Sequence, residues 1–183
     1  MKTKTFFLTT LMFVFILTYS TGIQGQTAPS SQSSHKDMVG ENPNADADIK
    51  LVGDFLNCLV SGDLDKAKSL LSENFKGYGP SPTDSTSTEQ TISSWKENCE
   101  VQSNRKVGFM PTTFRVFSGD QKGDWVAFWG NYSFTQDGKN ISFPFQYTAR
   151  VSDGKINLDL IYYDKMYILQ TLGYKVTPPE IVK

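Results

Sequence analysis

Two Asp-Gly pairs, Asp137-Gly138 and Asp153-Gly154, each sit between runs rich in Val, Ile, Phe, Tyr and Thr. Asp-Gly in that setting is the strongest short-range signal for a two-residue β-hairpin, because both central residues of the turn need positive φ. With a third turn at residues 118–123, the pairs divide residues 105–164 into four antiparallel strands, at 105–117, 124–135, 140–151 and 155–164. Such a meander buries one face and needs a covering layer.

That layer precedes the strands. In residues 46–61, Ile49, Val52, Phe55, Leu56, Leu59 and Val60 recur at three- and four-residue intervals, the pattern of an amphipathic helix. A break at Ser61-Gly62 leads to Asp63, a favoured N-cap, and a second helix carrying Leu64, Ala67, Leu70 and Leu71 and closed by Phe75. A short extended piece at 75–79 and a Pro-, Ser- and Thr-rich loop at 80–88 follow. Thr86 with Glu89, and Ser87 with Gln90, both fit a capping box for a third helix that places Ile92, Trp95 and Cys99 on one face. A last helix at 165–172 ends at Gly173, and Pro178-Pro179 closes the ordered chain. Helices first and strands later predict an α+β domain, with helices on one face of a curved sheet.

Residues 1–25 have the layout of a secretory signal peptide: Lys2 and Lys4, then an uncharged apolar stretch, then small residues up to Gly25. The alternative is an uncleaved anchor, but the strongly apolar part is only about 14 residues where a span needs about 20. The expectation is an exported protein, secreted or periplasmic, with no stable membrane span after cleavage. Residues 26–44, rich in Ser, Gln, Pro and Asn, lack the apolar surface to offset their ordering entropy and read as a flexible tether. The domain is expected over 45–175, with a tail at 176–183.

The 183-residue chain has a formal net charge of −1 and no basic cluster, which disfavours a nucleic-acid partner. Its two cysteines, Cys58 and Cys99, both fall on expected helices. In an oxidising compartment they are candidates for a disulfide; the alternative is a pair of thiols packed as small hydrophobes. Two isolated cysteines without a neighbouring histidine have no metal-ligand spacing, and no metal or other cofactor is expected.

Three stretches together carry a resemblance. They are Phe55-Leu56-Asn57-Cys58-Leu59-Val60-Ser61-Gly62-Asp63-Leu64-Asp65-Lys66-Ala67, the turn Asp153-Gly154-Lys155-Ile156, and Tyr162-Tyr163-Asp164 with Leu169-Gln170-Thr171-Leu172-Gly173. Over roughly residues 46–173 the chain resembles the NTF2-like superfamily, and within it the SnoaL-like (polyketide cyclase-like) proteins. The resemblance implies an NTF2-like, cystatin-like cone: a bent antiparallel sheet wrapped around N-terminal helices, with a deep pocket at its wide end. It implies no single activity, since this fold hosts isomerases, cyclases, dehydratases, hydrolases and non-enzymatic binders.

The only histidine, His35, lies in the expected tether, so the domain has no imidazole for a nucleophilic triad, a His-ligated metal or an Asp-His pair. Acid–base work falls to carboxylates and tyrosines. In the last strand Leu158, Leu160, Tyr162 and Asp164 share one face, and Asn157, Asp159, Ile161 and Tyr163 the other. In SnoaL-like proteins and limonene-epoxide hydrolases the aspartate that ends this strand borders the pocket. The resemblance thus makes Asp164 a candidate base, with Tyr162 and Tyr78 as hydrogen-bond donors; its other reading is an N-cap for the following helix. Asp159, on the opposite parity, is set aside. The Arg and Asp of the epoxide hydrolases fall at Asn131 and Ser133, so that activity is set aside too.

Trp95, Trp129, Asn131, Phe145 and Tyr147 are the expected ligand-binding residues of an aromatic-lined pocket. The same aromatics can be hydrophobic core, or a homodimer interface on the sheet. The expectation is an exported domain that binds a small, largely apolar molecule, either as a lyase- or isomerase-type enzyme or as a non-catalytic dimeric binding module.

Overall fold

The structure, a computed structural model, describes residues 34–175 and 177. The expected signal peptide and the first part of the expected tether lie outside these residues, as does nearly all of the expected tail. Within the compact unit His35–Lys183 the elements run α1 (His35–Met38), β1 (Val39–Gly40), α2 (Ala45–Ser61), α3 (Leu64–Ser69), β2 (Leu71–Tyr78), β3 (Ser85–Thr86) and α4 (Thr88–Val101). Then come β4 (Ser103–Val116), β5 (Gly123–Gln136), β6 (Lys139–Ser152), β7 (Lys155–Tyr163) and α5 (Lys165–Leu172).

The expected meander is present: β4, β5, β6 and β7 are consecutive antiparallel neighbours. Asp137 and Asp153 take φ of 50° and 53°, followed by Gly138 and Gly154 at 71° and 67°, which are the left-handed pairs that tight hairpins require. The seven-stranded sheet has the order β1-β4-β5-β6-β7-β2-β3 and is curved and unclosed. β2 lies parallel to β7, so the sheet is antiparallel everywhere except at this one junction.

α2 lies across the concave face. Val52 and Phe55 are fully buried, with Leu56 and Leu59 beside them, and Phe55 packs 6.4 Å ring to ring from Tyr147 of β6. Gly53 brings the helix close to the stacked rings of Phe109 and Phe128, whose centroids are 4.3 Å apart. Truncating a buried phenylalanine such as Phe55 to alanine costs about 3–5 kcal/mol, because transfer and cavity penalties add. Arg105 ties the helices to the sheet: it donates to the carbonyls of Val60 at 2.9 Å, Cys99 at 3.1 Å and Gln102 at 2.6 Å.

Three expectations are corrected. The second helix ends at Ser69, and Leu71–Tyr78 is a full strand, not a helix closed by Phe75. A spacing of four, as between Leu71 and Phe75, keeps two side chains on one face of either element, so the periodicity was ambiguous there.

The tether is shorter than residues 26–44. Val39 and Gly40 pair with Val116 and Arg115 at the sheet edge, and Asn42 is buried. Its Nδ2 donates to Asp48 Oδ2 and Thr113 Oγ1, both at 2.8 Å, and its Oδ1 accepts from the Asn44 N–H. Composition scores asparagine as solvated, yet here its amide meets the partners that a buried polar group needs.

Cys58 and Cys99 are free thiols, one buried and one half-buried, and form no disulfide. Cys99 Sγ instead faces the Leu59 carbonyl at 3.9 Å. Of the two readings, packed thiols describe the fold.

Candidate functional site

The curved sheet and the helices enclose a cavity of about 610 Å³. Its walls come from Phe55, Leu56 and Leu59 of α2; Trp95 and Asn98 of α4; the segment from Tyr78 to Thr86; Val107 of β4 and the inner faces of β5, β6 and β7; and Lys165, Ile168 and Leu169 of α5. The lining is mainly aromatic, with Tyr132, Phe134, Phe143, Phe145, Tyr147 and Tyr163 facing inward.

Two tyrosine-centred hydrogen-bonded pairs stand in this lining. At one, Tyr147 Oη donates to Asp159 Oδ2 at 2.7 Å, and the Tyr78 backbone N–H also donates to the Asp159 carboxylate. Both side chains are buried, at 7% exposure for Asp159 and 3% for Tyr147. Desolvation lifts the Asp159 pKa from 3.8 to about 7, against the opposing pull of the two donors. Burial, with the adjacent carboxylate, raises Tyr147 well above the ordinary phenol value. At the other, Tyr132 Oη bonds Gln102 Oε1 at 2.8 Å, and Trp95 meets the Tyr132 ring edge-on at 5.9 Å. Burial again raises the Tyr132 phenol.

The position of Asp159 depends on a close backbone approach. Gly77 of β2 is in register with Asp159 of β7, and a Cβ on Gly77 would lie 2.8 Å from Asp159 Oδ1 and 2.7 Å from Thr86 Oγ1. Only a residue without a side chain leaves that carboxylate its seat. At the mouth, Asp84 and Lys165 approach to 3.9 Å.

Of the residues expected from sequence, Trp95, Phe145, Tyr147 and Tyr78 line the cavity. Asp164 does not. It is exposed at the start of α5, where its Oδ1 accepts the Tyr167 N–H at 2.8 Å, so the capping alternative is the one realised. Tyr162, Trp129 and Asn131 point outward from the sheet, Tyr162 at 54% and Trp129 at 48% exposure. The strand parity was correct, but its inner face is the one bearing Asp159, Ile161 and Tyr163. The register shifts by one residue between Arg150 and Val151, so Ile156 at the start of β7 also turns inward. The run of Ile161 and Tyr163 beside Asp159 was the available signal, outweighed by the resemblance that favoured Asp164. Gln102 and Tyr132 were missed, since nothing local distinguishes a pocket glutamine from a helix-end one.

No family model and no curated protein sequence matches the chain. Solved structures do. PrhC from Penicillium brasilianum superposes with a TM-score of 0.59 at 17% identity, over 69% of this chain and 86% of that one. A protein with a ketosteroid isomerase-like fold from Catenulispora acidiphila, in complex with trimethylamine, gives 0.55 at 17% identity, over 70% and 98%. A SnoaL-like polyketide cyclase from Shewanella putrefaciens gives 0.54 at 11% identity, over 67% and 93%. At such identities the likeness is one of fold, and the fold is the NTF2-like cone that the resemblance implied. In particular, it is the fold shared by SnoaL-like cyclases and ketosteroid isomerase-like proteins.

Proposed function

We propose that the domain binds a small, largely apolar molecule in its cone and that Asp159, with Tyr147, handles a proton of that molecule. The observation that supports this most directly is a buried carboxyl with a pKa of about 7, set in the aromatic wall of a 610 Å³ cavity. A carboxyl that titrates near neutrality is suited to accept and return a proton in a lyase- or isomerase-type step. Tyr147, already bonded to it, holds it in one orientation. The test is turnover on a panel of carbonyl compounds with enolisable protons. Asp159→Asn should abolish turnover; binding by the wild type with turnover in neither protein favours a binder. The trimethylamine of the Catenulispora protein belongs to that protein, and the reading here rests on this chain's own cavity.

A second reading, a dimeric binding module, is favoured by one feature of the outer sheet face. Met110, Trp129, Gln146 and Tyr162 are consecutive cross-strand partners, and Met110, Trp129 and Tyr162 are each about half exposed or more. A row of large apolar side chains across a sheet suits a self-complementary contact. Sedimentation of the wild type against Trp129→Glu tests it, with a monomeric wild type as the refuting result.

Export belongs to the same proposal. Residues 1–25 carry the layout of a signal peptide, and N-terminal sequencing of protein recovered from outside the cytoplasm would find the mature chain beginning near Ile23 or Gln26.

A further inference from the structure

The charge balance inside the cavity is uneven. Three charged side chains line it: Asp159, Asp84 and Lys165. Asp84 and Lys165 lie at the mouth and offset each other at 3.9 Å. Asp159 remains as an interior carboxylate that forms no ion pair among the described residues. The guanidinium of Arg105, on the Tyr132 side, is held by three backbone carbonyls. The groups that do reach Asp159 are donors, Tyr147 Oη and the Tyr78 N–H, and donors serve the ionised form of a carboxyl.

Aromatic rings line the same cavity. Next to Asp159, Phe55 packs on Tyr147, and further along the wall Phe143 lies 5.4 Å from Tyr163 and 5.8 Å from Tyr132. Ring faces carry negative quadrupole potential and attract cations, most of all where water is excluded. A ligand that arrives as an anion would meet a carboxylate and ring faces of the same sign. A positively charged organic group would meet a matched counter-ion and a π-lined wall.

We propose that the cone of this protein takes an organic ammonium, an alkylated amine on an apolar body, with its cationic head at Asp159 and its body among the aromatic side chains. This rests on the reading of the cavity as a small-molecule site and assigns the chemical class of what enters it. It also accounts for the interior carboxylate, whose burial cost the ligand's charge would offset. Gly77 then acts as a positioning residue, leaving Oδ1 of Asp159 room against β2.

The experiment compares two probes of equal shape, benzyltrimethylammonium and its uncharged carbon isostere neopentylbenzene, titrated into the purified protein at pH 8. The expected result is affinity about 10-fold or more higher for the ammonium, the size of effect that a desolvated cation–π contact and a counter-ion support. Asp159→Asn should reduce that preference to about 3-fold or less, leaving neopentylbenzene affinity unchanged. The wild-type comparison stands even where the variant does not fold. Equal or tighter binding of neopentylbenzene overturns the ammonium assignment and leaves the apolar pocket standing. An ammonium preference that survives intact in a folded Asp159→Asn protein overturns the role of Asp159. Failure of both probes to bind overturns this proposal together with the small-molecule reading beneath it.

Discussion

Tyr147 and Asp159 sit on adjacent strands, two residues from facing each other, and share a 2.7 Å hydrogen bond in the interior of the cone. Tyr147 pairs with Ile161 and Ala149 with Asp159, so the bond runs diagonally across the β6–β7 ladder on its inner face. A diagonal neighbour on an antiparallel pair lies within reach of a long aromatic side chain, and the phenol spans that gap. The bond joins the two groups whose protonation the burial perturbs most visibly.

The first prediction is a pH dependence of stability. Asp159 titrates near 3.8 when unfolded and near 7 when folded, so between those values the folded state binds more protons. Its contribution is fully present below about pH 4 and is lost as pH rises through about 7, at an order-of-magnitude upper bound of about 4 kcal/mol. Urea denaturation at pH 5 and pH 8 should show a larger drop for wild type than for Asp159→Asn. Parallel drops in the two proteins would refute the assignment.

Tyr147→Phe removes a donor and leaves a buried carboxylate less satisfied. The expected cost is about 1–3 kcal/mol, greater at pH 8 than at pH 5, since the ionised form depends on the phenol most. The Asp159 carboxyl resonance, followed by NMR, should titrate at higher pH in this variant; an unmoved midpoint would show that the phenol contributes nothing.

Gly77→Ala tests the close approach of β2 and β7. The added methyl would lie under 3 Å from Asp159 Oδ1 and from Thr86 Oγ1, so something must shift. A loss of about 1–3 kcal/mol is expected from overpacking, with a changed Asp159 titration as its specific mark. Thermal denaturation reads the first and NMR the second.

Asp164→Ala separates the cap from the pocket. Loss of the bond to the Tyr167 N–H should cost about 1 kcal/mol of stability, the usual worth of an Asp N-cap. Ligand affinity, measured by titration, should be unchanged, because Asp164 does not line the cavity. A large fall in affinity without destabilisation would restore Asp164 to the site.

Much of the fold was legible because its signals are local. The Asp137-Gly138 and Asp153-Gly154 turns, the Ser87–Gln90 capping box, the Asp63 N-cap and the Gly173 terminus each act within a few residues, and each is present. The three- and four-residue apolar repeat of α2 likewise names its buried face without help from the rest of the chain. Phe145 and Tyr147 could be placed in the pocket for a related reason, as large aromatics on the buried side of a curved sheet, and Trp95 from the apolar face of its helix.

The sequence by itself thus determined the four meander strands, their turns, the ends of α2 and α5 and the two alternating faces of β7. Only the tertiary structure decided which of those faces is inside. Alternation has two equivalent phases, and the choice between Asp159 and Asp164 was settled by a one-residue register shift against β6 and by the parallel docking of β2. The docking of β2 joins segments distant in the chain, as does the Asn42 hydrogen bond to Thr113 that draws the expected tether into the fold. Burial, and with it the pKa of Asp159, is a property of the assembled walls, which no single stretch of residues carries.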